Sequence, residues 1–275
     1  MTHPTLQRPS RHEAVPELQD LLNRIGALLD LDGDFGQATE RAVLEAQTLA
    51  GLPVTGVADQ QTWDWLTAQP LPSPDLSTAD VTFVVKEEVS SRDYYDKTAA
   101  FPHFPGEESG VTIGIGYDLR FQGPDNFTAD WGNELGAEDL EKLRPCLGRR
   151  GSAEAVAKLK SIKVSFPIAW RVFTRSTLPR YVAQTRSAYP QFAELPDGCR
   201  GVLVSLVYNR GTSMEGDARR EMQAIGAHLA GRDFSRVAAE IEAMKRLWPG
   251  SRGLRERRDR EAELWRKGLR EAGLA

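Results

Sequence analysis

The run Gly110-Val-Thr-Ile-Gly-Ile-Gly-Tyr-Asp118 constrains this 275-residue chain more than any other stretch. Apolar residues alternate there with small or polar ones, the period of a half-buried strand. On an ideal strand Thr112, Gly114, Gly116 and Asp118 share one face. A hydroxyl and a carboxylate flanking two bare glycines describe a groove floor on which a ligand could lie close to the backbone.

Most of the remaining apolar pattern has helical spacing. Leu18, Leu21, Leu22 and Ile25 place a helix in 15–27; shorter helices are expected in 41–49 and from Thr62 to Leu66. Gly33 and Gly56 are each followed six positions later by a Thr (Thr39, Thr62), so this part of the chain echoes itself. Prolines at 70, 72 and 74, flanked by Ser and Thr, form a stiff extended connector. The division that follows is a small three-helix domain over 13–68, a linker over 69–79 and a larger domain over 80–275. Helical spacing recurs in the latter at 81–89, 153–162, 168–174, 178–187, 198–208, 219–230 and 234–247. The expected fold is mainly α, of α+β type, with a small β lobe followed by a helical lobe.

Composition narrows the function classes. No stretch reaches the roughly 20 apolar residues of a membrane helix, so no stable membrane insertion is expected. Residues 1–11 lack an apolar signal core, which points to synthesis in the cytoplasm. Residues 1–70 hold 4 basic and 10 acidic side chains, and the rest of the chain is close to neutral. No strong basic stripe of the kind nucleic acid requires stands out. The basic run 252–260 reads as a solvated helix face. Cys146 and Cys199 are too few for a disulfide framework and read as separate thiols, a single bridge between them staying open. His3, His12, His103 and His228 are scattered, so neither a zinc site nor any other metal or cofactor is expected. Asp30, Asp32 and Asp34 lack the glycine and bidentate Glu of a calcium loop. A cysteine peptidase using Cys146 or Cys199 with His228 has no activating helix start beside Cys146.

Carboxylates offer more. Glycoside cleavage uses one carboxylic acid to protonate the leaving oxygen and a second polar group to manage the attacking water. The acid belongs in an apolar setting and its partner in a wetter, hydrogen-bonded one. Glu87 and Glu88 end the apolar run Val81, Phe83, Val84, Val85, and either could supply the acid; Asp118 and Thr112 could supply the rest.

Two resemblances sharpen this. Leu18-Gln19, Asp32-Gly33-Asp34-Phe35-Gly36, Thr39, Gln47, Thr55-Gly56 and Thr62-Trp63 resemble the helical peptidoglycan-binding domain of wall hydrolases. Glu88-Val-Ser-Ser, Pro105-Gly106, Ser109 to Leu119 and Leu203 to Ser213 look like the muramidase domain of phage-type lysozymes, in the branch found in pesticin and related endolysins. The second resemblance implies a catalytic set of Glu88, Thr112 and Asp118, with Asp93 or Asp96 as alternatives to Asp118, and sugar contacts from Tyr117, Asn209 and Arg210. It implies a monomeric lysozyme without a cofactor. Such an enzyme would cleave the β-1,4 bond between N-acetylmuramic acid and N-acetylglucosamine, with inversion, in the periplasm or outside the cell. A phage endolysin and an injected antibacterial effector with an immunity protein both fit. The alternative is a wall-binding protein on a decayed lysozyme scaffold.

Overall fold

The structure, a computed structural model, describes residues 3–106 and 108–274. It is mainly helical with one two-stranded sheet. The chain forms two compact units, one of Met1–Pro72 with Glu88–Thr177, the other of Ser73–Glu87 with Leu178–Ala275. The first crossing falls inside the proline-rich stretch, and residues 80–275 are divided between both units.

In the first unit, helices α1 (Val15–Arg24), α2 (Gln37–Ala50) and α3 (Gln60–Thr67) close over a core of Val15, Leu18, Leu22, Phe35, Val43, Trp63 and Leu66. The echo in the sequence has a physical cause. Gln19 is buried, takes the Gly33 N–H on its oxygen (3.2 Å) and donates to Asp32 Oδ1 (2.7 Å) and the Asp34 carbonyl (3.2 Å). Gln47, equally buried, takes the Thr55 and Gly56 N–H groups (2.9 and 3.0 Å) and donates to the Val57 carbonyl (2.8 Å) and Thr62 Oγ1 (3.1 Å). Each glutamine satisfies the backbone of one glycine turn, where a buried unpaired polar group would cost about 1–3 kcal/mol. Asp32 is thereby a turn-binding residue, and its donors hold it below the usual carboxylate range.

This segment packs on Glu88–Thr177 within the same unit. Arg92 donates to the Gly26 carbonyl (3.1 Å), pairs with Glu45 (2.9 Å) and stacks over Phe166 at 4.1 Å. Trp170 Nε1 donates to the Arg24 carbonyl at 3.2 Å. A side chain at Gly26 would meet Trp170 at 2.7 Å and Phe166 at 2.9 Å, so that approach depends on a bare backbone.

The single long strand expected over 111–117 is instead a hairpin. Strand β1 (Thr112–Ile113) pairs antiparallel with β2 (Tyr117–Asp118), Thr112 opposite Asp118 and Ile113 opposite Tyr117. Gly114 and Gly116 have φ of +58° and +65°, which side chains other than glycine rarely adopt. A Cβ at Gly114 would also lie 2.9 Å from Trp131, so the turn is seated directly on the core. The periodicity did not reveal helices Pro124–Trp131 and Ala137–Leu143, of which the first supports the hairpin through Asp130 and Trp131; the expected helix over 153–162 is confined to Ala153–Ala157.

In the second unit, Leu178–Ala188, Cys199–Arg210, Arg220–Ala230 and Val237–Ala243 follow their expected positions. The terminal helix Arg252–Glu271 corrects the reading of 252–260 as a solvated face. Arg257, Arg258 and Glu261 are buried. Glu261 Oε1 accepts from Ser205 Oγ (2.6 Å), Arg258 Nη2 (2.8 Å) and Arg257 Nε (3.2 Å). Burial pushes the Glu261 carboxyl up while the two guanidiniums pull it down. Helix α4 (Thr78–Val89) runs through the boundary between the units at Glu87–Glu88.

Candidate active site

The hairpin sorts its residues by face. Leu119 donates its N–H to the Val111 carbonyl at 2.9 Å, so Val111–Leu119 is a hydrogen-bonded pair and Thr112–Asp118 is the non-hydrogen-bonded pair beside it. In such a pair the two side chains stand close together on one face. Val111, Ile113, Tyr117 and Leu119 are all buried and fill the core side. Thr112 and Asp118 therefore share the opposite side, where Thr112 is itself buried and Asp118 half-buried.

Asp118 is held by backbone. Both carboxylate oxygens lie 3.0 Å from the Gly110 nitrogen, and Oδ1 accepts the Arg120 N–H at 2.8 Å. A Cβ on Gly110 would fall on Oδ1 and 2.6 Å from the Arg120 nitrogen, so residue 110 has to be glycine for the carboxylate to sit there. Arg120 in turn reaches Glu108, donating to its backbone carbonyl and to Oε2 (2.9 Å). Thr112 is anchored on its other edge, exchanging both backbone hydrogen bonds with His103 at 2.8 and 3.0 Å.

The two candidate acids at the end of α4 differ. Glu87 is clamped by Arg260, with Nε to Oε1 at 2.6 Å and Nη2 to Oε2 at 2.7 Å, and its side chain is 4% exposed. With both oxygens engaged in a bidentate pair, Glu87 is a structural ion-pair partner and not a solvated helix-end charge. Glu88, the next residue, is half-buried and belongs to the same compact unit as the hairpin.

The proposed sugar contacts fare differently. Tyr117 is 3% exposed; its hydroxyl donates to Asp130 Oδ2 at 2.8 Å and its ring meets Trp131 edge-on at 5.5 Å. It supports the hairpin from the core side, which corrects its assignment to substrate. Arg210 packs over Trp248 at 4.9 Å and donates to the Ala218 carbonyl. Burial, with Arg219 and Arg258 nearby, pulls its guanidinium down to about 10. That guanidinium is committed to its own unit, whereas Asn209 is exposed beside a cavity of about 440 Å³.

Asp93 pairs with Arg41 at 3.1 Å, away from the role considered for it. Both cysteines are free thiols, and burial pushes both up, Cys199 to about 12, the opposite of what a nucleophile needs. Spacing and periodicity mark neither Gly110 as the seat of Asp118 nor His103 as the strand partner of Thr112. The only prior signal for Gly110 was its place two residues before Thr112.

Residues 11–66 match the model of a family described as "Putative peptidoglycan binding domain". No curated protein matches the chain. Eleven chains of solved structures match. One, described as "Crystal structure of Burkholderia AP3 phage endolysin", is 19% identical over 98% of this chain and 100% of that chain, with a TM-score of 0.24. The family match covers α1 and α2 whole and α3 as far as Leu66, and it supports a function connected with the bacterial cell wall, with peptidoglycan as a partner.

Proposed function

We propose that the chain is a muramidase that hydrolyses the β-1,4 bond between N-acetylmuramic acid and N-acetylglucosamine in peptidoglycan. The observation that carries this reading is the Thr112–Asp118 pair, on the face of the hairpin turned from the core, with the carboxylate fixed by backbone N–H groups. Held by these N–H groups, the carboxylate has a fixed position from which to orient or deprotonate water. Thr112 Oγ1 supplies a second contact to that water. Glu88 is the general acid that protonates the glycosidic oxygen, because Glu87 is taken by Arg260. The outcome is inversion: Asp118 takes a proton from water, the water oxygen attacks the anomeric carbon from the face opposite the glycosidic oxygen, and Glu88 protonates that oxygen as its bond to the carbon breaks.

The segment matched by the peptidoglycan-binding family holds the enzyme on insoluble wall, and the place of action is the periplasm or the outside of the cell. The experiment is a turbidity assay on purified peptidoglycan with reducing-end analysis of the products. The wild type should release new N-acetylmuramic acid reducing ends. Glu88→Gln should stop that release by at least a thousandfold without loss of fold, and Glu87→Gln should retain it. Wall binding without any new reducing ends would refute the enzyme and leave a binding protein. Inactivity of Glu87→Gln in a folded protein, with Glu88→Gln active, would overturn the assignment of the acid.

A further inference from the structure

The edge of Thr112 that faces away from Asp118 is occupied by His103. Two antiparallel residues that exchange both N–H···O bonds carry their side chains on the same face. His103 and Thr112 are such a pair, and Thr112 and Asp118 are directly opposed on the next rung. His103, Thr112 and Asp118 thus form one polar row across three neighbouring segments, on the face opposite the buried Val111, Ile113, Tyr117 and Leu119.

The imidazole is half-buried, and its Nδ1 lies 3.2 Å from the Phe101 carbonyl oxygen. A carbonyl can only accept, so Nδ1 carries the hydrogen. A neutral ring with Nδ1–H then offers Nε2 as a hydrogen-bond acceptor, and the Phe101 contact fixes the plane in which it does so. The row continues past the catalytic pair by one strand spacing, about 4.8 Å.

We propose that His103 is a substrate-binding residue whose Nε2 accepts a hydrogen bond from a hydroxyl or acetamido N–H of the glycan beside the Thr112–Asp118 pair. This rests on the muramidase reading. His103 acts on the hold of the sugar chain; the water is managed by Thr112 and Asp118.

The test is steady-state hydrolysis of a soluble peptidoglycan tetrasaccharide by the full chain, His103→Ala and His103→Gln, with thermal melts of all three. Loss of one hydrogen bond in a half-buried site predicts that His103→Ala raises KM about tenfold and leaves kcat within about twofold. Glutamine keeps an acceptor at similar reach, so His103→Gln should recover most of the wild-type KM. An unchanged KM in His103→Ala would overturn the inference while the muramidase reading stands. A lowered melting temperature with kcat and KM both damaged in the two variants would show a purely structural histidine and overturn it as well. If the wild type does not cleave the tetrasaccharide, the muramidase reading fails first and this inference with it.

Discussion

Asp80 makes the helical unit less stable as pH rises through the weakly acidic range. It lies in α4 at 1% exposure, accepts the Gly198 N–H at 2.8 Å, and sits so close to Gly201 that a Cβ there would overlap it. Burial pushes its carboxyl from the ordinary 3.8 up to about 6; Asp197 adds to the rise, and the Gly198 N–H, Ser77 and Arg200 oppose it. The folded chain therefore holds this proton more tightly than the unfolded chain does. The stabilisation is fully present below about pH 4 and is lost as pH rises to about 6. A difference of roughly two pH units corresponds to about 3 kcal/mol. Asp80→Asn keeps an acceptor for Gly198 and cannot ionise. At pH 8 it should be more stable than wild type by on the order of 2–3 kcal/mol, and at pH 4 the two should nearly coincide. Urea unfolding of both proteins at pH 4, 5, 6 and 8 measures this, because carboxylates common to both cancel in the difference. A difference between variant and wild type that stays constant from pH 4 to pH 8 would refute the reasoning.

Other perturbations follow from named contacts. Gly110→Ala should cut kcat at least tenfold, with the far-ultraviolet circular dichroism spectrum unchanged, because the new methyl displaces the Asp118 carboxylate. Arg260→Met removes the bidentate partner of the buried Glu87 and leaves only Arg257 at 3.9 Å; it should destabilise the chain by about 2 kcal/mol in chemical denaturation, with wall binding intact. Gln47→Ala leaves the Thr55 and Gly56 N–H groups without their shared acceptor; a loss of about 2–3 kcal/mol is expected. Reduced retention on insoluble peptidoglycan in a sedimentation assay should accompany that loss.

The legible parts of the fold were those with a one-sided apolar stripe. Helix α1 shows Leu18, Leu21 and Leu22 on one side and was placed within a few residues. The short helix Pro124–Trp131 has only Phe127, Ala129 and Trp131 as apolar positions after its proline and gave no period to detect. The hairpin reads in sequence as one strand for a geometric reason. With a three-residue turn between Ile113 and Tyr117, opposed residues keep the same parity, so the period-two pattern runs unbroken through the turn. The pattern puts Thr112 and Asp118 on one face of a single strand, six residues apart, where the structure makes them partners across two strands. Arg258 could not be foreseen as buried, since Met244 and Trp248, from the segment before its helix, close over it together with Glu261 of the helix itself. The choice between Glu87 and Glu88 was equally hidden, because Arg260 lies 173 positions from Glu87.

The three-helix segment and the Thr112–Asp118 hairpin belong to one compact unit, joined through Arg92, Gly26 and Trp170. On the muramidase reading, the wall anchor is therefore a ruler more than a leash. A flexible tether lets an enzyme sample every bond within its reach, whereas an anchor packed on Arg92 and Trp170 of the unit that carries the hairpin presents the catalytic pair at a set distance and direction from the point of attachment. Products from intact, cross-linked wall should then show a preferred fragment length that disappears when Gly26 or Arg92 is replaced and the anchor comes loose.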